Sequence, residues 1–114
     1  MTFNEYQAAA LRTAKPRQDY RERMMEGVLG LCGEAGEVAD MVKKSAYQGH
    51  LMTTAGVAEE LGDVLWYAAL VAKAAGLTLD EVARGNIEKL WKRYPEGFDS
   101  NRSIHREENG GTEG

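Results

Sequence analysis

The stretch GLCGEAGEVAD, Gly30 to Asp40, carries apolar residues at helical spacing together with two glutamates, Glu34 and Glu37, one turn apart. No basic residue stands next to either, and like charges so spaced on a helix repel. A helix that keeps both needs a compensating partner. Working outward, Met24, Val28, Leu31, Ala35, Val38 and Val42 follow one another at steps of three and four, so the pattern predicts one long helix from near Asp19 to about Tyr47. Gly27, Gly30, Gly33 and Gly36 recur within it at every third position. Each costs about 0.8–1 kcal/mol of helix propensity relative to Ala, which points to close packing or to access for a ligand.

The flanking sequence predicts three more helices. Thr2 and Glu5 have the spacing of a capping box, opening a short first helix through Phe3, Tyr6 and Leu11 that ends before Pro16. After the break SAYQGHLMTT, Thr53 and Thr54 offer caps for a third helix that runs to Ala75, with Gly76 as terminator. That helix is apolar nearly all round, with Val57, Leu61, Val64, Leu65, Trp66, Tyr67, Leu70 and Val71. Such a helix should be buried on several sides, and in so short a chain this predicts a subunit interface that includes Trp66 and Leu70. TLDE, Thr78 to Glu81, is a second capping-box pattern and opens a fourth helix that Pro95 stops. From residue 99 to 114 the chain is polar and glycine-rich and reads as a flexible tail outside a domain of residues 1–98. No segment alternates with period two and no repeat has solenoid spacing, so the predicted class is all-α: an antiparallel bundle of four main helices, completed by oligomerisation.

The totals bound the function. A chain of 114 residues suffices for one core without disulfides. Eighteen acidic against fourteen basic side chains give a net charge of −4, which argues against nucleic acid as a partner. The single cysteine, Cys32, sits in the apolar helical pattern and reads as a small core residue in a reducing compartment. No signal-peptide pattern opens the chain and no apolar run reaches the roughly 20 residues of a membrane span, so the expectation is a soluble, cytoplasmic protein.

The partner that Glu34 and Glu37 need is offered by AEELGDVLWY, where Glu60 and Asp63 repeat the same spacing on the next helix. At about 100° per residue, each pair points to one side of its helix. Between Glu37 and Glu60 lie 22 residues, enough for a helix to end, turn and return antiparallel. Four carboxylates beside apolar surface are costly unless a hard cation takes their oxygens. Neither His50 nor His105 stands at Glu-x-x-His spacing from these acids, so the ligation is all-oxygen, which favours Mg²⁺ with Mn²⁺ as substitute. Glu59 and Asp40 read as solvated acids, and the two histidines as exposed.

With these motifs in view, GEAGEVAD, EELGDVLWY and NIEKLWKRYPEGF together resemble the MazG-like nucleotide pyrophosphohydrolases of the all-α NTP pyrophosphatase superfamily. The resemblance covers most of the chain and rests on ExxE, a spacer and ExxD. It implies a homodimer or dimer of dimers that hydrolyses a nucleoside triphosphate between its α and β phosphates, giving a monophosphate and pyrophosphate. Glu34, Glu37, Glu60 and Asp63 match the family's Mg²⁺ ligands. Asn86, Lys89 and Arg93 match positions that face the triphosphate, and they share one face of the fourth helix, where cations can offset phosphate charge. Tyr67 matches a site aromatic of some relatives, whereas Trp66 and Trp91 read as packing residues. Some relatives hold the base with a Trp and a His ahead of ExxE, and NEYQAAALRTAKP has neither.

The expected chemistry is metal-assisted hydrolysis, with Glu34 or Glu37 as general base. Two alternatives stand beside it: a narrower dUTP or dCTP hydrolase of the same superfamily, and a non-catalytic helical module that dimerises through the third helix.

Overall fold

The computed structural model describes residues 1–16 and 19–98; the expected tail, 99–114, lies outside them. Four α-helices form, α1 (Phe3–Ala10), α2 (Tyr20–Gln48), α3 (Thr54–Ala74) and α4 (Leu79–Arg93), with a 3-10 turn at Leu11–Thr13. No strand occurs among the described residues, so the fold is all-α, as the sequence predicts. No helix of the described residues is long and apolar enough to cross a membrane. The chain divides into two units, Met1–Leu79 and Asp80–Gly114.

In the first unit the helix ends follow from side-chain chemistry. Thr2 and Glu5 close a reciprocal capping box, with Thr2 N donating to Glu5 Oε1 at 2.7 Å and Glu5 N to Thr2 Oγ1 at 3.0 Å. Asp19 caps α2 by accepting from Glu22 N at 2.8 Å, and Thr53 caps α3 by accepting from Gly56 N at 3.0 Å. At the end of α3, Leu77 N donates to Ala72 O at 2.8 Å and Gly76 N to Lys73 O at 3.0 Å, the paired bonds of a Schellman stop. Gly76 has φ +76, a left-handed conformation that a side chain would strain.

Helices α2 and α3 form the principal contact, and their glycines reveal its direction. A Cβ at Gly27 would lie 2.7 Å from Val71 Cγ2, one at Gly30 would collide with the Tyr67 ring, and one at Gly56 would meet Met41 Cε at 3.0 Å. Later positions on α2 thus meet earlier positions on α3, so the pair is antiparallel. A Cβ at Gly33 or Gly36 would meet nothing within 4 Å. Only the first half of the glycine series serves close packing.

This glycine-led contact corrects three sequence expectations. The stripe from Met24 to Val42 is not one buried face: Leu31 and Val38 are half-buried, whereas Val28, Ala35 and Val42 are exposed. The helix turns its glycines toward α3 and thereby rotates part of the apolar stripe outward. Cys32, expected in the core, is exposed, because it lies about 200° around the helix from Gly30. Leu70, expected at a subunit interface, is 1% exposed within the chain, while Leu61 is 53% exposed. The apolar surface that α3 presents outward therefore lies toward its N-terminal half.

Among the described residues the buried apolar ones are Ala69, Leu70, Ala72 and Leu79, and Tyr6 and Leu11 pack against the cluster of Ala69, Ala72 and Leu79. A polar pin crosses it. Gln7 is buried, and its Nε2 donates to Ala69 O at 3.2 Å and Leu77 O at 3.3 Å while its Oε1 accepts from Leu79 N at 3.0 Å. One amide thus ties α1 to the end of α3 and to Leu79, the last residue of this unit, satisfying backbone groups that would be costly to bury unpaired.

In the second unit, α4 carries Asp80 and Glu81 in its first turn and Lys92 and Arg93 in its last, the arrangement that complements a helix dipole. Asp80, Ala83, Arg84, Ile87, Glu88 and Trp91 line a shallow cavity of about 270 Å³ along it. Trp91, read as a packing residue, is 68% exposed among the described residues.

Candidate functional site

Beyond the glycine contact, the antiparallel pair carries its acids to facing positions. Glu34, one turn past Gly30 on α2, meets Glu60 and Asp63 on α3, and one carboxylate oxygen from each lies within 4.8 Å of the other two. Glu34 and Glu60 are half-buried and Asp63 is exposed. Glu37 stands outside this group of three, and its side chain is exposed.

The electrostatics separate these acids from ordinary surface carboxylates. Asp40, two turns further along α2, is bound by Lys44 at 2.8 Å and Lys43 at 3.7 Å. The Lys44 hydrogen bond holds its carboxyl below the ordinary value. Among the described residues, none of the three clustered acids has such a basic partner. The Glu60 carboxyl is held above its ordinary 4.5, first by loss of water, then by a hydrogen bond shared with Glu34, then by the charges of Glu34, Asp63 and Glu37. Glu37 therefore acts on the cluster through its charge. All-oxygen donors from two helices, crowded and without a cationic side chain, suit a hard divalent cation.

A cavity of about 320 Å³ adjoins the cluster, lined by Glu34, Asp63, Trp66 and Tyr67. The Trp66 and Tyr67 rings meet edge to face, with centroids 5.0 Å apart and planes at 83°. The Trp66 indole N–H donates to Ala10 O at 3.0 Å and to Thr13 Oγ1 at 2.9 Å. Tyr67 presses on the α2 backbone at Gly30. Tyr6 reaches the same neighbourhood from α1: its hydroxyl is held above the usual value by burial first and by the negative charge of Asp63 second.

The structure thus brings Glu34, Glu60, Asp63 and Tyr67 together. Asn86, Lys89 and Arg93 lie on α4 in the second unit, the first two exposed and Arg93 half-buried. His50 is exposed, in line with its reading, and His105 lies outside the described residues. Sequence reasoning missed Tyr6 and Trp66 at the site. Both belong to apolar helical patterns, and only the packing of α1 against α3 reveals them.

These features define an all-helical protein with a carboxylate cluster shared by two antiparallel helices and an aromatic cavity beside it. Residues 23–98 match the family model of the MazG nucleotide pyrophosphohydrolase domain, and the chain belongs to that family. The matched segment contains all four acids of the two motifs. A curated relative, the Gene 37 protein of Mycobacterium phage L5, is 38% identical over 73 residues, which cover 60% of this chain and 64% of that protein. The chain accordingly spans less than two thirds of that relative's length. No solved structure matches the chain.

Proposed function

We propose that this protein is a Mg²⁺-dependent nucleoside triphosphate pyrophosphohydrolase that cleaves the α–β bond to release a nucleoside monophosphate and pyrophosphate, with Mn²⁺ as an alternative ion. The observation that carries the reading is the convergence of Glu34, Glu60 and Asp63 within 4.8 Å, beside an aromatic cavity, in a chain of the MazG family.

Glu34, Glu60 and Asp63 would hold the cation. When bound, it supplies polarisation of a phosphate oxygen and a lowered pKa for water. Glu37, next to the cluster in charge but outside the group of three, is the carboxylate left to accept the proton of the attacking water. Asn86, Lys89 and Arg93, on one face of α4, bind the triphosphate, the two cations offsetting charge on the departing pyrophosphate. Tyr67 packs against the bound nucleotide. The domain that performs this spans residues 1–98.

A second copy of the chain completes the molecule. Val28, Leu29, Val42 and Leu61 are between 42% and 66% exposed on α2 and α3, apolar surface that a partner copy would cover. Light scattering at micromolar concentration should return a dimer or a dimer of dimers; the chain mass alone would refute this part.

The activity is tested by ³¹P NMR of nucleoside triphosphates incubated with the protein and Mg²⁺. Monophosphate and pyrophosphate should appear together, with no reaction in EDTA. Accumulation of diphosphate and orthophosphate would place the cut at the β–γ bond and refute the proposed reaction. Turnover confined to dUTP or dCTP would identify the narrower hydrolase.

A further inference from the structure

Trp66 is half-buried beside the acids. It lies on α3 three residues after Asp63, and its ring lines the 320 Å³ cavity that also exposes Glu34 and Asp63. The only polar atom of its side chain is already committed, since the indole N–H donates to Ala10 O and Thr13 Oγ1. Two acceptors on the α1 side therefore fix the ring in place. Tyr67 closes the adjoining side nearly at a right angle, and the Tyr67 ring is itself backed by the α2 backbone at Gly30. The cavity is thus a corner of two rigid aromatic walls with carboxylates at its edge.

We infer that Trp66 is the surface on which the substrate's base stacks, so that the cavity takes the flat heteroaromatic ring of a nucleotide whose phosphates extend toward the acids. The inference deepens the nucleotide reading above and rests on it. Of the two rings, Trp66 offers the larger π surface, whereas one side of Tyr67 is occupied by α2. Fixing the ring beforehand lowers the ordering cost of binding. Because the N–H is consumed within the chain, Trp66 contributes stacking without reading the hydrogen-bonding edge of the base. Stacking on an aromatic side chain tolerates any base, since each has a π face. Trp66 therefore supplies affinity for the base and leaves its identity to other contacts.

The test uses the full chain carrying Trp91→Phe, so that Trp66 is the sole tryptophan and reports its own surroundings. Non-hydrolysable α,β-methylene analogues of ATP and GTP are titrated with Mg²⁺, and inorganic tripolyphosphate is titrated in parallel. Both nucleotide analogues should quench Trp66 emission and tripolyphosphate should not. In a second arm with tryptophan at position 91 intact, Trp66→Leu should weaken both analogues by a similar factor, roughly tenfold or more. Its affinities for tripolyphosphate and for Mn²⁺ should stay unchanged, and Trp66→Phe, which retains a ring, should lose less. Equal quenching by tripolyphosphate, or equal weakening of analogue and tripolyphosphate by Trp66→Leu, would overturn the assignment. Should the Leu variant fail to fold, the quenching comparison alone decides. Failure of the nucleotide reading has a different signature, with no binding of either analogue or tripolyphosphate while Mn²⁺ still binds, and it overturns this assignment as well.

Discussion

The α2–α3 pair has two halves that look alike in sequence and differ in physics. In one, Gly27 and Gly30 admit Val71 and Tyr67 so closely that a methyl group would collide with them. In the other, a Cβ at Gly33 or Gly36 would meet nothing within 4 Å, and Glu34, Glu60 and Asp63 converge between the helices. The first half is closed by contact, whereas the second brings three acids that repel one another within 4.8 Å, before the helices meet again at Met41 and Gly56. The glycine-packed half thus supplies the rigid support beside which a crowded acidic cluster can persist. The same Gly-x-x repeat serves packing at one end and leaves open surface at the other.

The comparison can be broken most sharply at the acids. Glu60→Gln should reduce Mg²⁺-dependent turnover by about a thousandfold or more, the scale of removing a group that acts on the transition state. The helical signal and the metal-free melting temperature should hold or rise, since the substitution removes a crowded charge. A variant with full activity would remove the acids from the site.

At the other half the expected effect is on stability. Gly30→Ala should destabilise the fold by roughly 1–3 kcal/mol, because the Tyr67 ring must shift to admit the methyl. Gly33→Ala, three residues further on, should instead stabilise it by about 0.8–1 kcal/mol, the helix-propensity difference. Urea denaturation of the two variants checks the pair. Changes of the same sign would erase the distinction between the halves.

A smaller effect concerns pH. The Glu60 carboxyl is raised in the folded chain above its ordinary 4.5. Its contribution to stability is therefore fully present below 4.5 and is lost as pH rises through the raised folded value. In metal-free buffer, wild type should lose melting temperature relative to Glu60→Gln as pH climbs through that window. Added Mg²⁺ should close the gap. A difference that is constant with pH would mean that Glu60 does not feel its neighbours.

Much of this was legible in the chain because it is local. Asp19 and Thr53 announce their helices, and Gly76 its stop, through bonds that span at most five residues. The acid pairs were legible for the same reason, each lying on one turn of one helix. Contacts between helices were not. Whether a glycine in a regular series faces a ring or open space depends on how α2 is rotated against α3, and periodicity gave the apolar stripe more weight than the glycines. Gln7 is the clearest case: it reads as an ordinary polar residue of α1, yet its bonds reach residues 62, 70 and 72 positions away. Trp66 was read as packing from its apolar neighbours, and only the partners of its N–H reveal how its ring is held beside the acids.

The central claim, that Glu34, Glu60 and Asp63 form one divalent-cation site, is tested most directly by titrating Mn²⁺ into the protein and following the free ion by electron paramagnetic resonance. Wild type should bind Mn²⁺ without nucleotide present. Asp63→Asn should raise the Kd at least about tenfold, since even a group that only orients a metal ligand is worth about that much and Asp63 would touch the ion itself, while its metal-free melting curve stays intact. Equal Mn²⁺ affinity in wild type and Asp63→Asn would contradict the account.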